Sequence, residues 1–425
     1  MIKSPKIAIL GFGREGKAVL RFLKKQGLRN VTILDKKFDK DYLKNLEDFN
    51  VIYRSPGVPY NLKEIQKAIA SGVKFSSATD LFFKNAKGMI IGVTGTKGKG
   101  TTSTLIYKIL KNAGKDVYLA GNIGKPAIDI LSKLNKNSIT VLELSSFQLQ
   151  DLKRSPQIAV VLDMFPDHMD AHKNLKEYFK AKSSIAKYQT KKDRVFYAAS
   201  NKYVKIIASK SKGKKIGVNP KSFKFFLPRD LKIRGEHNFK NAVMATTVAL
   251  YLGIKKNRIL KTVKNYRGLP YRLELIRTVK GVKIYNDSAS TNPMTTRAAI
   301  NSFREENVLI MGGKDKGLDY KPVATALSAQ GGSTSGGKNS STKLVVLFGE
   351  NKNKIKKAIS KCRIPVKLAN NLKTALKIAY RYSKFYILNS KFLTIVFSPG
   401  AASFDMFVDY KDRGKEFKKL VRNIK

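Results

Sequence analysis

A glycine-rich turn between an apolar run and a helical segment is the part of the chain best suited to chemistry. The run Met89–Val93 predicts a buried strand, and Thr101–Leu110 has helical spacing. In a turn between two such elements, the backbone N–H groups and the positive end of the helix favour anions, and a lysine can reach terminal phosphates. Glycine lets the backbone approach a phosphate closely. The stretch predicts a phosphate-binding loop made of Gly95, Thr96, Lys97, Gly98, Lys99, Gly100 and Thr101.

Acidic side chains follow predicted strands in the same part of the chain. Glu143 lies at the end of one apolar run, and Asp163, Asp167 and Asp170 follow the next. Carboxylates at strand ends beside a phosphate loop are suited to binding Mg²⁺. Helix caps and turn residues are the plain alternative for each of them. His168 lies in the same stretch. Taken alone, it is expected to cap a helix or to lie in the core.

A second glycine-rich turn lies near the N-terminus. Lys6–Leu10 predicts a strand, Gly11–Gly16 the turn, Lys17–Gln26 a helix, and Val31–Leu34 a second strand that ends at Asp35. This pattern is typical of dinucleotide-type sites, in which phosphates lie at the helix N-terminus and an acid binds a sugar or base. Such turns also occur without a nucleotide, so the pattern alone is a weak indication.

Strand and helix patterns alternate along the remaining chain, which predicts an α/β fold with parallel sheets. A length of 425 residues allows two to three domains. We expect boundaries that give domains of residues 1–88, 89–268 and 269–425. The tract 326–343, rich in Gly, Ser and Thr, predicts a flexible surface loop.

Composition indicates a globular intracellular protein. Hydrophobic residues make up 42% of the chain, and the single cysteine, Cys362, excludes an internal disulfide and suits a reducing compartment. No apolar run approaches the roughly 18–20 residues of a membrane span, and the first residues lack a signal-peptide pattern. We therefore expect a cytoplasmic protein without membrane insertion.

The formal net charge of +54 raises the possibility of nucleic-acid binding. The three predicted domains carry net charges of +10, +25 and +19, so the excess is spread almost evenly along the chain. A binding stripe would be lopsided, whereas an even spread indicates a bias over all solvated faces. We expect no specific nucleic-acid partner.

Taken in order, these motifs resemble those of the Mur ligases, and the resemblance extends over essentially the whole chain. The stretches that carry it are ILGFGREG, SPGV, GVTGTKGKGTT, GNIG, LELSSFQL, DHMD, GEHNFKNA, GLPYRLE, NDSASTN, GGKDKGLDY and SPGAASFD. The stretches LELSSFQL and DHMD resemble the corresponding stretches of the family members that add D-glutamate. The resemblance implies a Rossmann-like UDP-binding domain, a central P-loop ATPase-like domain and a Rossmann-like C-terminal domain for the amino acid.

The activity implied by this resemblance is ATP-dependent amide formation between UDP-N-acetylmuramoyl-L-alanine and D-glutamate. ATP would phosphorylate the alanyl carboxylate, and the amine would displace phosphate from the acyl phosphate. The implied cofactors are ATP and Mg²⁺, with two ions and a carbamylated Lys182, and we expect a monomer. Without the motif, Lys182 would be read as a plain surface lysine.

The resemblance also implies a role for individual residues. Catalytic positions are Lys99, Glu143, His168, Lys182 and Lys316. Metal-binding positions are Thr101, Glu143, His168 and Lys182. ATP contacts, besides the phosphate loop, are Asn238, Asn241, Arg272 and Asp287. Contacts to the UDP-muramoyl substrate are Gly13, Arg14, Glu15, Asp35, Lys36, Asn122, Ser145 and Gln148. D-glutamate contacts are Thr291, Lys316, Ser403 and Tyr410.

Two positions depart from the family pattern. Gly100 lacks the hydroxyl usual after the loop lysine, which would leave that Mg²⁺ contact to Thr101 or water. Ala289 stands where some relatives have a lysine, so one positive charge near the reacting carboxylate is absent. Three alternatives remain: a sister ligase acting on another amino acid or on folate, a basic nucleic-acid-binding protein, and a nicotinamide-dependent oxidoreductase suggested by the first glycine turn.

Overall fold

The computed structural model describes residues 5–165, 174–329, 341–387 and 393–424. The predictions for Asp167, His168 and Asp170 lie outside the described residues. The α/β prediction is confirmed, because the strands form three sheets that are parallel except for one pair.

The first sheet contains four parallel strands in the order β2-β1-β3-β4. Its strands are β1 (Ile7–Leu10), β2 (Val31–Leu34), β3 (Val51–Arg54) and β4 (Lys74–Ser76). Its helices are α1 (Arg14–Lys25), α2 (Lys63–Ala70) and α3 (Ala78–Asn85).

Both faces of this sheet are covered. Ile9 of β1 belongs to a buried cluster with Val19 of α1, whereas the next residue, Leu10, belongs to another with Ile65 of α2. Successive side chains of a strand point to opposite faces, so a strand buried on both sides is apolar throughout. This explains the continuous apolar run of β1 and places the glycine turn at the carboxyl edge of the sheet.

The second sheet contains six parallel strands in the order β10-β9-β8-β5-β7-β6. Its strands are β5 (Met89–Thr94), β6 (Val117–Gly121), β7 (Ile139–Glu143), β8 (Ile158–Val161), β9 (Arg194–Ala198) and β10 (Lys214–Val218). Its helices are α4 (Lys99–Asn112), α5 (Ser146–Leu149), α6 (Leu175–Lys187) and α7 (Lys202–Ser209), followed in the chain by α8 (Glu236–Tyr251) and α9 (Lys256–Asn265). Strand β5 lies between β7 and β8, where the strand order reverses, and ligands bind at such a switch point in open α/β sheets.

The third sheet has the order β11-β12-β16-β13-β14-β15, with only β11 antiparallel to its neighbour. Its strands are β11 (Glu274–Val279), β12 (Val282–Asn286), β13 (Asn307–Gly312), β14 (Thr342–Phe348), β15 (Val366–Leu368) and β16 (Thr394–Phe397). Its helices are α10 (Pro293–Ile300), α11 (Lys321–Ala329), α12 (Lys352–Ala358), α13 (Leu372–Ile387) and α14 (Tyr410–Arg422).

The chain divides into two compact units. Unit 1 comprises Met1–Phe226 and Lys240–Val263, and unit 2 comprises Leu227–Phe239 and Lys264–Lys425. Unit 1 therefore contains the first two sheets and unit 2 the third. Within the described ranges, no helix is long and apolar enough to cross a membrane.

Two sequence predictions need correction. The predicted loop 326–343 is too long at both ends, because α11 extends to Ala329 and β14 begins at Thr342. Helix α1 begins at Arg14 and ends at Lys25, whereas the predicted helix begins at Lys17 and ends at Gln26. Asn238 and Asn241, three positions apart, both lie in helix α8.

Candidate active site

The phosphate loop has the geometry that its sequence predicts. It connects β5 directly to α4, and Gly98 at the helix start has a φ of +85°. A side chain at Gly98 would meet the Asn241 carboxamide, so glycine is required by both backbone and space. The Nζ of Lys99 folds back over the loop and donates to the carbonyl oxygens of Gly95 and Thr96 at 3.0 and 3.1 Å.

A second lysine lies at the same loop. Lys182 of α6 is only 2% exposed, so the interpretation as a plain surface lysine is wrong. Its Nζ donates to the Gly95 carbonyl at 3.1 Å and to Thr94 Oγ1 at 3.4 Å, and it lies 5.0 Å from the centre of the Tyr178 ring. Tyr178 in turn hydrogen-bonds to Thr96 Oγ1 at 2.9 Å. Two amines from different helices therefore converge on one carbonyl of the phosphate loop.

Glu143 ends strand β7, next to β5, and is 7% exposed. Its Oε1 accepts a hydrogen bond from Asn122 Nδ2 at 2.9 Å. No ion pair of Glu143 occurs within the described residues. A buried carboxylate at a phosphate loop without a cationic partner fits a site for a bound cation.

The other predicted metal positions are less complete. Thr101, 8% exposed, lies in the first turn of α4, next to Gly100. Asp163 follows β8, and its carboxylate lies 3.8 Å from Lys240 Nζ. His168 lies outside the described residues. In the part of the chain that the structure describes, no three His, Cys, Asp or Glu side chains form a metal-binding group.

The N-terminal glycine turn is held by its own side chains. Asp35 accepts hydrogen bonds from the backbone N–H of Phe12 at 2.6 Å and of Lys37 at 2.9 Å, and these bonds lower the pKa of its carboxyl. Gly13 caps α1, and the neighbouring Lys36 is exposed. The turn is shorter than predicted, because α1 already begins at Arg14, and Asp35 closes it from the end of β2.

Arg14 and Glu15, at the start of α1, reach the second sheet. Arg14 donates to the carbonyls of Gly121 and Gly124 at 3.0 and 3.1 Å. Glu15 accepts from Gln148 Nε2 at 2.6 Å, and burial raises the pKa of its carboxyl. The start of α1 thus holds two segments that follow strands of the second sheet, the turn after β6 and helix α5.

Ser145 and Gln148 form a capping box at the N-terminus of α5. The Ser145 Oγ accepts from the Gln148 backbone N–H at 3.2 Å, and Gln148 Oε1 accepts from the Ser145 N–H at 3.0 Å. This reciprocal pair fixes the Gln148 side chain toward Glu15. The local motif LELSSFQL therefore positions a side chain at the carboxyl edge of the second sheet.

One cavity of about 400 Å³ in unit 1 joins the predicted substrate and phosphate-loop residues. Six of the predicted residues line it: Glu15, Lys99, Asn122, Ser145, Gln148 and Lys182. They come from five separate segments of the chain, and a cavity of this size is ordinary for a ligand site. The cavity brings the two groups of predicted residues to one place.

An ion pair that the sequence analysis missed supports this cavity. Arg54, at the end of β3, donates from Nε and Nη2 to Asp151 Oδ2 at 2.9 and 2.8 Å. Its other bonds go to the carbonyls of Ser55 at 3.3 Å, Val58 at 2.6 Å and Phe147 at 3.1 Å. The two charged side chains are 1% and 7% exposed. SPGV and LELSSFQL flank the partners, but nothing in either motif indicates their pairing.

In unit 2, Asp287 is buried directly after β12 and accepts several hydrogen bonds. Its carboxylate accepts hydrogen bonds from Ser290 Oγ at 2.5 Å, Ser398 Oγ at 2.8 Å and the Leu273 N–H at 3.1 Å. Burial raises the pKa of Asp287 to about 6. Arg272 is exposed. Asp287 thus connects the loop that follows β12 with the loop that follows β16.

The predicted D-glutamate residues follow three strands of the third sheet. Thr291 comes after β12, Lys316 after β13 and Ser403 after β16, and these strands are parallel neighbours. Their carboxyl ends share one edge of the sheet. Ser403 is buried, whereas Lys316 is exposed with its Nζ 5.1 Å from the centre of the Phe404 ring.

Arg413, fully buried in α14, ties this edge together and was also missed. It donates to Ser288 Oγ and the Ser288 carbonyl at 3.1 and 3.0 Å, and to the carbonyls of Ala401 and Ala402 at 3.0 and 3.1 Å. Burial lowers its pKa to about 10. Ser288 Oγ donates to the Tyr410 carbonyl at 2.8 Å, which anchors the start of α14 beside the same loop.

The remaining predicted positions are placed as follows. Asn238 Nδ2 donates to the Arg234 carbonyl at 2.7 Å in unit 2, and Asn241 is buried beside Gly98 in unit 1. Lys97 is exposed on the phosphate loop. Ala289 donates its N–H to the Tyr271 carbonyl at 3.0 Å, so its backbone is fixed although the lysine of some relatives is absent.

Comparison with known proteins identifies the family of this chain. Residues 93–224 match the Mur ligase middle domain. A UDP-N-acetylmuramoylalanine–D-glutamate ligase of Aquifex aeolicus is 35% identical over 98% of this chain and 98% of its own. The chain belongs to the Mur ligase family. A ligase of the same description from Acetivibrio thermocellus is 32% identical over 100% of this chain and 97% of its own.

Solved structures of Mur ligases share the fold. UDP-N-acetylmuramate–alanine ligase of Thermotoga maritima superimposes with a TM-score of 0.61 at 17% identity, covering 99% of this chain and 100% of its own. Folylpolyglutamate synthase of Mycobacterium tuberculosis gives a TM-score of 0.59 at 13% identity, covering 82% and 94%. At these identities the two structures show that the fold is shared.

Proposed function

We propose that this Mur ligase joins D-glutamate to UDP-N-acetylmuramoyl-L-alanine at the expense of ATP, in peptidoglycan precursor synthesis. The similarity to D-glutamate ligases over the full length supports this substrate pair. The observation that carries the proposal is the shared cavity of unit 1, because Lys99 and Lys182 line the same space as Glu15 and Gln148. A nucleotide-sugar carboxylate and a terminal phosphate of ATP can meet there.

The first step transfers the γ-phosphoryl group of ATP to a carboxylate oxygen of the alanyl arm, which gives an acyl phosphate and ADP. Phosphoryl transfer requires positioning and charge neutralisation more than covalent help from the protein. Lys99, anchored on the loop at 3.0 Å from the Gly95 carbonyl, would bind the β- and γ-phosphates. The N–H groups at the start of α4 would bind phosphate oxygens of the same nucleotide.

The second step forms the amide. The free amine of D-glutamate attacks the acyl carbon, the tetrahedral intermediate expels phosphate, and the amine loses a proton. In unit 2, Thr291, Lys316 and Ser403 would bind the D-glutamate carboxylates. Asp287 and Arg413 would keep the loops that carry Thr291 and Ser403 in place.

Mg²⁺ would neutralise the charge that develops on the phosphates. Thr101, Glu143, His168 and Lys182 are the residues that would hold it, Lys182 as its carbamate. The position of Lys182 fits that modification, because its buried Nζ lies 3.1 Å from the Gly95 carbonyl and a carbamate there would present oxygen atoms at the phosphate loop. We also propose that the protein acts in the cytoplasm as a monomer.

The test is a complete reaction followed by two readouts. The purified protein is incubated with ATP, Mg²⁺, UDP-N-acetylmuramoyl-L-alanine and D-glutamate, and phosphate release and product mass are measured together. We expect phosphate release with a mass gain of one glutamyl unit, and no product with L-glutamate. Phosphate release without that product would indicate a sister ligase with another acceptor. No turnover by a folded, ATP-binding sample would refute the proposal.

A further inference from the structure

The first two side chains of α1 both reach out of the first sheet, and one of them leads to the phosphate-loop site. Arg14 uses both terminal nitrogens on the turn that follows β6, at 3.0 Å from the Gly121 carbonyl and 3.1 Å from that of Gly124. A guanidinium is a planar fork, so two carbonyls bound this way fix the turn in orientation as well as in position. The contact with the UDP-muramoyl substrate that the resemblance implies for Arg14 would have to compete with these two bonds.

The turn held by Arg14 is built directly onto Glu143. The backbone N–H of Asn122 donates to the Glu143 carbonyl at 2.9 Å, and Asn122 Nδ2 donates to the Glu143 carboxylate at 2.9 Å. Gly121 and Gly124 have φ values of +99° and +73°, and a side chain at Gly121 would meet the Glu143 carbonyl. The turn thus packs against the backbone of Glu143, and the side-chain amide of Asn122 donates a hydrogen bond to the Glu143 carboxylate.

The orientation of the Glu143 carboxylate depends on this hydrogen bond from Asn122. Its carboxylate is buried, it lies beside the phosphate loop in register with Val93, and Asn122 is its one side-chain hydrogen-bond donor within the described residues. A donor that orients a cation-binding carboxylate contributes about 10- to 100-fold in metal affinity or activity. A turn that is free to shift would lose part of that contribution.

We propose that Arg14 is a positioning residue for nucleotide binding: it clamps the Gly121–Gly124 turn so that Asn122 holds the Glu143 carboxylate at the phosphate loop. The proposal rests on the proposed function for the identity of the nucleotide, ATP with Mg²⁺. It differs from a direct contact between Arg14 and the UDP-muramoyl substrate, because it acts when that substrate is absent. The N-terminal turn is then part of the ATP site as well as of the sugar-nucleotide site.

The experiment measures binding of a non-hydrolysable ATP analogue by calorimetry across a Mg²⁺ titration, without the UDP-muramoyl substrate. Asn122→Ala should weaken Mg²⁺-dependent binding about 10- to 100-fold. Arg14→Ala should weaken it in the same direction, by about 10-fold. Since both residues act on one path, the double variant should bind no more weakly than Asn122→Ala alone.

Two further variants separate the explanations. Arg14→Lys keeps the charge but cannot bind both carbonyls as a fork, so it should behave like Arg14→Ala. Arg21→Ala is the matched control, because Arg21 is another α1 arginine that bonds across unit 1, to Asp129 at 2.8 Å, without a path to Glu143. Its analogue binding should equal that of the wild type.

The proposal is overturned if Arg14→Ala binds the analogue like the wild type and only raises the KM for the UDP-muramoyl substrate. It is equally overturned if Arg14→Lys restores binding, or if the losses of the Arg14 and Asn122 variants add. Failure of the proposed function would look different, since the wild-type protein would then bind the analogue but form no glutamyl product.

Discussion

Replacing Arg54 by methionine should destabilise unit 1 by an amount that depends on pH. Arg54 and Asp151 form a buried ion pair with two bonds to one carboxylate oxygen, at 2.8 and 2.9 Å. Removing one partner of such a pair costs about 3–5 kcal/mol, because the other charge stays buried without compensation. Methionine fills much of the space of the arginine stem, so the loss concerns the charge more than packing.

The carboxyl of Asp151 can relieve this penalty by taking up a proton. Burial raises its pKa above the ordinary value of 3.8, and the Arg54 charge acts against that rise, so loss of Arg54 raises the pKa further. Protonating an ordinary carboxyl costs about 4.4 kcal/mol at pH 7 and about 1.6 kcal/mol at pH 5. The penalty for a buried, unpaired Asp151 charge cannot exceed the cost of protonating that carboxyl. The destabilisation caused by Arg54→Met should therefore shrink by up to about 2.7 kcal/mol between pH 7 and pH 5.

Hydrogen–deuterium exchange of the buried β5 amides, corrected for the intrinsic exchange rate at each pH, gives the opening free energy of unit 1. Asp151→Asn is the matched control: it leaves Arg54 without its carboxylate, and a guanidinium cannot shed its proton. Its destabilisation should not shrink between pH 7 and pH 5. The reasoning fails if Arg54→Met loses as much stability at pH 5 as at pH 7, or loses less than about 1 kcal/mol at pH 7.

Three further changes test the two units. Lys99→Ala should abolish phosphate release from ATP while circular dichroism stays unchanged, and Lys108→Ala, an exposed lysine of the same helix, should keep wild-type turnover. Lys182→Ala should be inactive and regain part of its turnover with a short carboxylic acid, whereas full activity without the acid would contradict the carbamate. Burial raises the pKa of Asp287 from 3.8 to about 6, so folded unit 2 binds a proton that the unfolded chain releases between these values. Unit 2 should therefore lose about 2 kcal/mol of stability from this group as the pH rises from 4 to 6. Asp287→Asn should lack that loss in urea titrations across the same range, and an unchanged pH dependence would refute the assignment.

Much of the fold could be predicted because the signals were local. The strand Val31–Leu34 has the predicted bounds and β5 begins at the predicted Met89, since each is an apolar run that ends at a turn. The phosphate loop and Glu143 were predictable for the same reason. A strand buried on both faces is visible in any short window of the sequence.

The contacts that support the site were not predictable, because each joins residues far apart in the chain. Arg54 and Asp151 are separated by 97 positions, Arg14 and Gly121 by 107, and Glu15 and Gln148 by 133. A charged residue on a lysine-rich chain carries no local mark of burial. Only the topology, which places the carboxyl edges of two sheets within unit 1, makes these pairs visible.

The division of the chain has a consequence for synthesis on the ribosome. Unit 1 is discontinuous, and its last segment, Lys240–Val263, emerges only after the chain has passed through Leu227–Phe239 of unit 2. That segment is part of the packing of unit 1: Tyr251 lies edge-on to Phe196 at 5.4 Å between ring centres, and Thr262 accepts from Asn112 at 3.1 Å. At roughly 5–20 residues per second, the 37 residues from Leu227 to Val263 take about 2–7 s to synthesise. Until Val263 has been synthesised, unit 1 lacks the contacts that Tyr251 and Thr262 make, so its packing cannot be completed before that point.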